Sequence, residues 1–182
     1  MYFAPKEILL KDGRTAVLCS VRPEDAEEMV AYLVATAGET EFVMNYPEER
    51  AALTVEKEAE MLDRLAQSPD VLMLTCRVEG KLAGNCALHL KNKEKTRHRG
   101  SVAIALYQAY WGLGLGTAML SELIDAARGL GLAQLELDYV EGNVRGRRLY
   151  EKLGFVETGR IPDGFRFRDG SSHADVLMVL RL

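Results

Sequence analysis

Tyr110-Trp111-Gly112-Leu113-Gly114-Leu115-Gly116-Thr117 places three alternate glycines where the nearly continuous apolar run Ser101 to Tyr107 stops and a helical repeat of apolar residues begins. Glycine reaches positive φ without a Cβ penalty, so the N–H groups of such a turn can converge on an anion beside the positive end of the following helix. The stretch therefore reads as a phosphate cradle between a strand and a helix. Two conventional explanations fail on spelling: a dinucleotide fingerprint needs a glycine where Thr117 stands, and a P-loop needs Lys ahead of Ser or Thr.

Upstream of the cradle, Thr15 to Arg22 reads as a strand, and Pro23-Glu24-Asp25 is a helix entry. Met29, Val30, Leu33 and Val34 form the apolar stripe of that helix, up to about Ala37. Gly38 to Leu53 is polar and irregular, and a second helix is predicted from Thr54 as N-cap to Ser68-Pro69. Val71 to Val78 and Leu82 to Leu90 are two strands joined at Glu79-Gly80, as in an antiparallel hairpin. Lys91 to Arg99 is a solvated loop, and Ser101 to Tyr107 a strand covered on both faces. Downstream, Leu115, Met119, Leu123, Ala126 and Leu130 recur at helical spacing until Gly129 and Gly131 close the helix. Leu135 to Val140 is a strand, Asn143 to Leu153 a helix, Phe155 onward a strand, and Ala174 to Leu182 the last one.

The bulk numbers bound the rest. A chain of 182 residues that is 48% hydrophobic and 27% charged is a folded protein, and its length suits a single domain over residues 1–182. No apolar run approaches the ~20 residues of a membrane helix. Lys6, Glu7, Lys11 and Asp12 around Ile8-Leu9-Leu10 are unlike a secretory leader. A net charge of −4 removes the general electrostatic reason to expect nucleic acid or an anionic membrane as partner, and leans weakly towards a cationic substrate. Cys19, Cys76 and Cys86 show no CxxC spacing and read as small buried thiols of a reducing, cytoplasmic protein. His89, His98 and His173 are too scattered for a metal site, and none is expected.

The order strand, two helices, three strands, glycine turn, helix, strand, helix and two strands resembles the GNAT superfamily of N-acetyltransferases. Two segments carry the resemblance. Trp111-Gly112-Leu113-Gly114-Leu115-Gly116 is similar to the family's pyrophosphate loop, with Trp111 where Gln or Arg is preferred, and its Tyr-Trp-Gly spelling resembles the branch related to ribosomal-protein N-terminal acetyltransferases. Asn143-Val144-Arg145-Gly146-Arg147-Arg148-Leu149-Tyr150-Glu151-Lys152-Leu153-Gly154-Phe155 matches the family's Asn, Tyr and Leu-Gly-Phe spacing, with Gly146 where Ala is usual. The implied fold is mixed α/β (α+β): a mostly antiparallel twisted sheet of about six to seven strands, splayed between the fourth and fifth, flanked by about four helices.

The resemblance also implies acetyl-CoA as cosubstrate and a primary amine as acceptor, attacked directly in a ternary complex. The pyrophosphate would be received by Trp111, Gly112, Leu113, Gly114, Leu115, Gly116, Thr117 and Ala118, and the pantetheine by the backbone of Ile104 to Tyr107. An amide near Leu106 would polarise the thioester carbonyl. Tyr150 would be the general acid, because a phenol of pKa ~10 is close enough to a thiol to return its proton. Asn143, two helical turns earlier on the same face, would hydrogen-bond the cofactor. By residue type alone Tyr150 reads first as a core aromatic beside Leu149 and Leu153 and Asn143 as an N-cap, and the surrounding pattern turns both readings toward function. For the general base, Glu41 ranks ahead of Asp138 and His98, and a water chain without a dedicated base is an equal alternative. A binding module that keeps the CoA site without catalysis is the second reading. Homodimers are common among related enzymes.

Overall fold

The computed structural model describes all residues, 1–182. Eight strands form one sheet: β1 (Lys6–Leu9), β2 (Thr15–Ser20), β3 (Val71–Val78), β4 (Lys81–Leu90), β5 (Arg99–Leu106), β6 (Gln134–Val140), β7 (Val156–Arg166) and β8 (Ser172–Arg181). Their order is β1-β2-β3-β4-β5-β6-β8-β7, and every neighbouring pair is antiparallel except β5 with β6. Five helices flank it: α1 (Ala26–Glu39), α2 (Pro47–Ala51), α3 (Val55–Gln67), α4 (Leu115–Gly129) and α5 (Val144–Lys152).

Two elements exceed the expected count. β1 has no apolar alternation, and its four residues are mostly exposed; it exists because its main chain completes the edge of β2. α2 is five residues long, started by Pro47 and held by Glu49, whose carboxylate accepts from the Tyr46 amide at 2.7 Å. Single turns of this kind carry too few positions for a periodic signal.

The sheet has a core on each face. On one side α4 lays Leu115, Met119 and Leu123 against Leu18, Leu74, Cys76, Cys86 and Leu88 of the central strands. On the other, α1 and α3 seal a smaller cluster of Val21, Ala26, Met29, Tyr32, Leu62 and Leu82. β4 is the strand sandwiched between them, which explains why six of its ten residues are buried on alternating faces without a polar stripe.

β5 departs from its expected two-faced burial. Gly100 and Val102 are buried, whereas Ala103 is exposed and Ile104, Ala105 and Leu106 are only partly covered. The cause is topological. β6 pairs with β5 at three rungs only, Arg99 with Gln134, Gly100 with Leu135 and Ser101 with Glu136, and then turns away, while β4 stays paired as far as Leu106. The splay expected between the fourth and fifth strands is therefore present, between what are now β5 and β6.

Candidate active site

The splay leaves one edge of β5 without a partner. Tyr107 N–H donates to the Ala83 carbonyl of β4 at 3.1 Å. Peptide groups alternate sides along a strand, so those of Leu106 and Ile104 face the other way, into the cleft. One of them is already engaged: the Leu106 carbonyl accepts the Trp111 indole N–H at 3.1 Å.

The glycine turn closes the same cleft. Gly112 and Gly114 have φ of 79° and 89°, so the left-handed backbone expected of this loop is real at those two positions. Gly116 is different: it is helical, and a Cβ there would lie 3.1 Å from Leu149 and 3.4 Å from Leu106. Its smallness serves close packing of α5 and β5 against α4. The Ala118 amide, expected among the phosphate donors, is spent on the Gly114 carbonyl at 3.1 Å. This is the first bond of α4, which leaves the amides of Leu113, Gly114, Leu115, Gly116 and Thr117 as the unspent donors at the helix start.

Leu106 is held from both sides. Its side chain reaches over Gly84 of β4, where any Cβ would collide with it, and its other methyl lies against Gly116. Gly84 was not singled out from sequence, although a lone glycine inside a strand signals such a close approach. On the opposite face Tyr107 packs edge-on against Tyr32, ring centroids 5.0 Å apart, and the Tyr32 hydroxyl donates to Asn85 Oδ1 at 3.0 Å.

Asn143 and Tyr150 come from the β6–α5 junction. Asn143 Oδ1 accepts the Gly146 amide at 2.8 Å, so the residue does cap α5 and its Nδ2 remains the free donor. Gly146 allows this, because a Cβ would stand 2.7 Å from that Nδ2. Tyr150 is buried between Tyr139 and Phe155, at centroid distances of 5.9 and 6.3 Å. Burial, with the nearby Asp138 carboxylate second, pushes its phenol up to about 12.

The segment after α1 lies across the other end of the cleft. Glu39 accepts the Gln108 amide at 2.7 Å, and the Gln108 side chain donates back to the Glu39 carbonyl. Arg168 stacks 3.7 Å from the Tyr46 ring centroid and its amide donates to the Tyr46 hydroxyl. Between these ties is a recess of about 220 Å³ lined by Glu39, Glu41, Tyr46, Phe165, Arg166 and Phe167. Glu41 is exposed there. Glu39, tethered closer to Tyr107, was not singled out from sequence.

The three carboxylate and imidazole candidates separate by position. Asp138 lies two residues past the last β5–β6 rung, at the fork of the splay. Beside it Asp175 has one buried carboxylate oxygen without a partner, and burial followed by Asp138 pushes its carboxyl above the usual range. His98 precedes β5, at the far end from Leu106, roughly 25 Å away along an extended strand. It is too distant to act at the cleft. Two of the three thiols are also ruled out as nucleophiles: Cys76 and Cys86 are fully buried, and burial pushes Cys76 up to about 12 and Cys86 higher still. Cys19, expected to be buried with them, is only partly covered and lies 3.4 Å from the Thr75 hydroxyl. No group of residues could hold a metal ion, and no helix is long and apolar enough to cross a membrane.

Residues 39–155, more than half of the chain, match the family model described as Acetyltransferase (GNAT) family. The chain belongs to that family. Membership makes it an N-acetyltransferase with acetyl-CoA as cosubstrate. Among relatives of this GNAT chain, the Bacillus subtilis protein named Uncharacterized N-acetyltransferase YycN is 27% identical over 113 residues, 62% of this chain and 72% of its own. The Putative ribosomal N-acetyltransferase YdaF of the same organism is 24% identical over 160 residues, 84% of each chain. A GNAT-family acetyltransferase from Streptococcus pneumoniae superposes with a TM-score of 0.84 at 29% identity, over 92% of this chain and 99% of that one. The Salmonella typhimurium putative acetyltransferase yncA, solved with acetyl-CoA, shares the fold at a TM-score of 0.76 and 20% identity, over 92% and 94%.

Within this GNAT frame Trp111 is the clearest departure. Its indole is turned to the Leu106 carbonyl, and the Arg145 guanidinium lies 4.7 Å from its ring centroid.

Proposed function

We propose that the chain acetylates a primary amine, a peptide N-terminus or a small amine, by direct attack on the acetyl-CoA thioester in a ternary complex. The observation that carries this reading is the three-rung pairing of β5 and β6, which sets an unpaired strand edge beside the unspent amides of Leu113 to Thr117. The loop amides suit the pyrophosphate, and the edge from Val102 to Leu106 suits the amides of the pantetheine arm.

The unprotonated amine enters from the side of the 220 Å³ recess. Its lone pair forms the N–C bond, the carbonyl oxygen gathers negative charge against the Leu106 N–H, and the C–S bond then breaks. Tyr150 returns a proton to the departing thiolate. With its phenol raised to about 12 by burial it stays protonated through the working range, at the cost of a poorer match to the thiol than the pKa of ~10 expected from residue type. The proton lost by the amine passes to Glu41 or to water. Asn143 Nδ2 is the side-chain donor offered to the cofactor beside Tyr150.

An amine panel assayed with acetyl-CoA, following CoA thiol release and acetylated product together, tests this. Stoichiometric release with transfer to a primary amine is expected. Calorimetric CoA binding without transfer to any amine would replace the reading by that of a binding module.

A further inference from the structure

The loop that receives the pyrophosphate carries no cation of its own, because Trp111 occupies the place where the family prefers Gln or Arg. Cations reach it from elsewhere in the chain. Lys152, at the end of α5, donates to Thr117 Oγ1 at 3.4 Å. Arg145, in the first turn of α5, stacks on Trp111 at 4.7 Å. Lys11, in the β1–β2 turn, donates its amide to the Leu113 carbonyl at 3.1 Å, and its aliphatic stem lies 3.8 Å from where a Gly114 Cβ would stand.

The placement is not accidental to the helix. Arg145 and Lys152 are seven residues apart, two turns along one face, with Leu149 between them packed toward Gly116. That contact turns their face of α5 toward the loop. Arg148 lies on the same stripe. All four side chains are exposed and none is in an ion pair. The carboxylates next to them in the chain are taken: Asp12 by Arg14 at 2.7 Å and Glu151 by Arg147 at 2.7 Å.

Electrostatically part of the arrangement is unfavourable without an anion. Arg145 sits in the first turn of α5, the positive end of that helix, and Lys152, in the last turn of α5 where its own helix favours it, is turned onto the first turn of α4, in a protein whose net charge is −4. Positive charge gathered beside two helix N-termini and a run of unspent amides marks a polyanion site.

We propose that Lys11, Arg145 and Lys152 form a basic collar that binds the phosphate groups of coenzyme A and supplies the charge that the loop lost at Trp111. The inference rests on the acetyl-CoA reading of the site. The coenzyme has two sources of that chemistry, the diphosphate bridge and the 3′-phosphate monoester, which adds a charge of about −1.5 to −2.

The test is calorimetric titration of the whole protein with CoA, 3′-dephospho-CoA and pantetheine, for the wild type and for Lys11→Ala, Arg145→Ala and Lys152→Ala, with Lys93→Ala as an exposed control. Each collar variant is expected to bind CoA about tenfold more weakly, with a shallower salt dependence, and to bind pantetheine as the wild type does. A loss that persists with dephospho-CoA assigns that cation to the diphosphate; a loss that vanishes assigns it to the 3′-phosphate. The melting temperatures of the unliganded Arg145 and Lys152 variants should stay close to that of the wild type, because both side chains are exposed and in no ion pair. Wild-type CoA affinity in all three variants, or a loss equal to that of Lys93→Ala, would overturn the collar while leaving the cosubstrate intact. A wild type that binds no CoA at all would overturn both.

Discussion

The indole N–H of Trp111 donates to the main-chain carbonyl of Leu106 at 3.1 Å, tying the start of the glycine loop to the end of the unpaired strand edge. The same ring carries Arg145 on its face. Trp111→Phe keeps the platform and deletes the donor, whereas Trp111→Ala deletes both. A hydrogen bond contributes about 0.5–1.5 kcal/mol and an exposed cation–π contact about 0.5–1 kcal/mol. CoA affinity should therefore drop a few-fold in Trp111→Phe and about tenfold or more in Trp111→Ala, read by calorimetry. Identical losses in the two would show that the stack does not hold Arg145.

Tyr150 should reveal itself in rate rather than affinity. Tyr150→Phe is expected to slow turnover by about 10²–10⁴-fold with little change in CoA binding. The sign of the pH dependence follows from burial: with its phenol raised to about 12, the donor form persists across pH 6 to 10. The wild-type rate should rise as the amine acceptor loses its proton, without an alkaline fall from Tyr150. Equal rates for wild type and Tyr150→Phe over the whole pH series would remove it from the reaction.

Gly84 is where fold and site share one requirement. A Cβ there would meet the Leu106 side chain and stand 2.7 Å from the Ala105 carbonyl, which is backbone and cannot rotate away. Gly84→Ala should cost about 1–3 kcal/mol by urea denaturation and raise KM for acetyl-CoA as β5 is pushed toward the cleft. Wild-type stability would mean that β4 and β5 separate more easily than their register suggests.

Glu58 tests stability away from the site. It is wholly buried on α3 with neither carboxylate oxygen hydrogen-bonded. Burial raises its pKa, and Arg50 offsets only part of that. The folded state thus holds the proton more tightly than the unfolded chain. Stability is greatest below the ordinary Glu range and declines as pH climbs through the raised value. Glu58→Met should stabilise the protein at pH 7 by about 1–3 kcal/mol, and by less at pH 4. Thermal melts at both values decide it, and destabilisation at pH 7 would show that the carboxylate has a partner in solution.

Much of the fold was legible in the residues. The strands at 71–78, 82–90 and 135–140 and the helices starting at 54, 115 and 143 announce themselves by period, cap or glycine stop. β1 and α2 did not, since four and five residues hold too little periodic information and both form through neighbours. The same division runs through the site. The loop and the Asn143 to Phe155 segment were readable because their chemistry is local: turn glycines, an N-cap, residues two helical turns apart. The apolar run 101–107 misled about burial, because composition records what a strand could cover and not whether its neighbour stays beside it.

By itself, then, the sequence determined the family, the position of the glycine turn proposed to receive the pyrophosphate and the spelling of the Asn143 to Phe155 segment, all properties of contiguous segments. Only tertiary structure decided which groups act together. Three rungs of pairing set where β6 leaves β5, packing at Gly84 and Gly116 sets where Leu106 lies, and α5 delivers Arg145 and Lys152 to a loop some thirty residues earlier. Such relationships depend on distances between segments, and no local pattern encodes them.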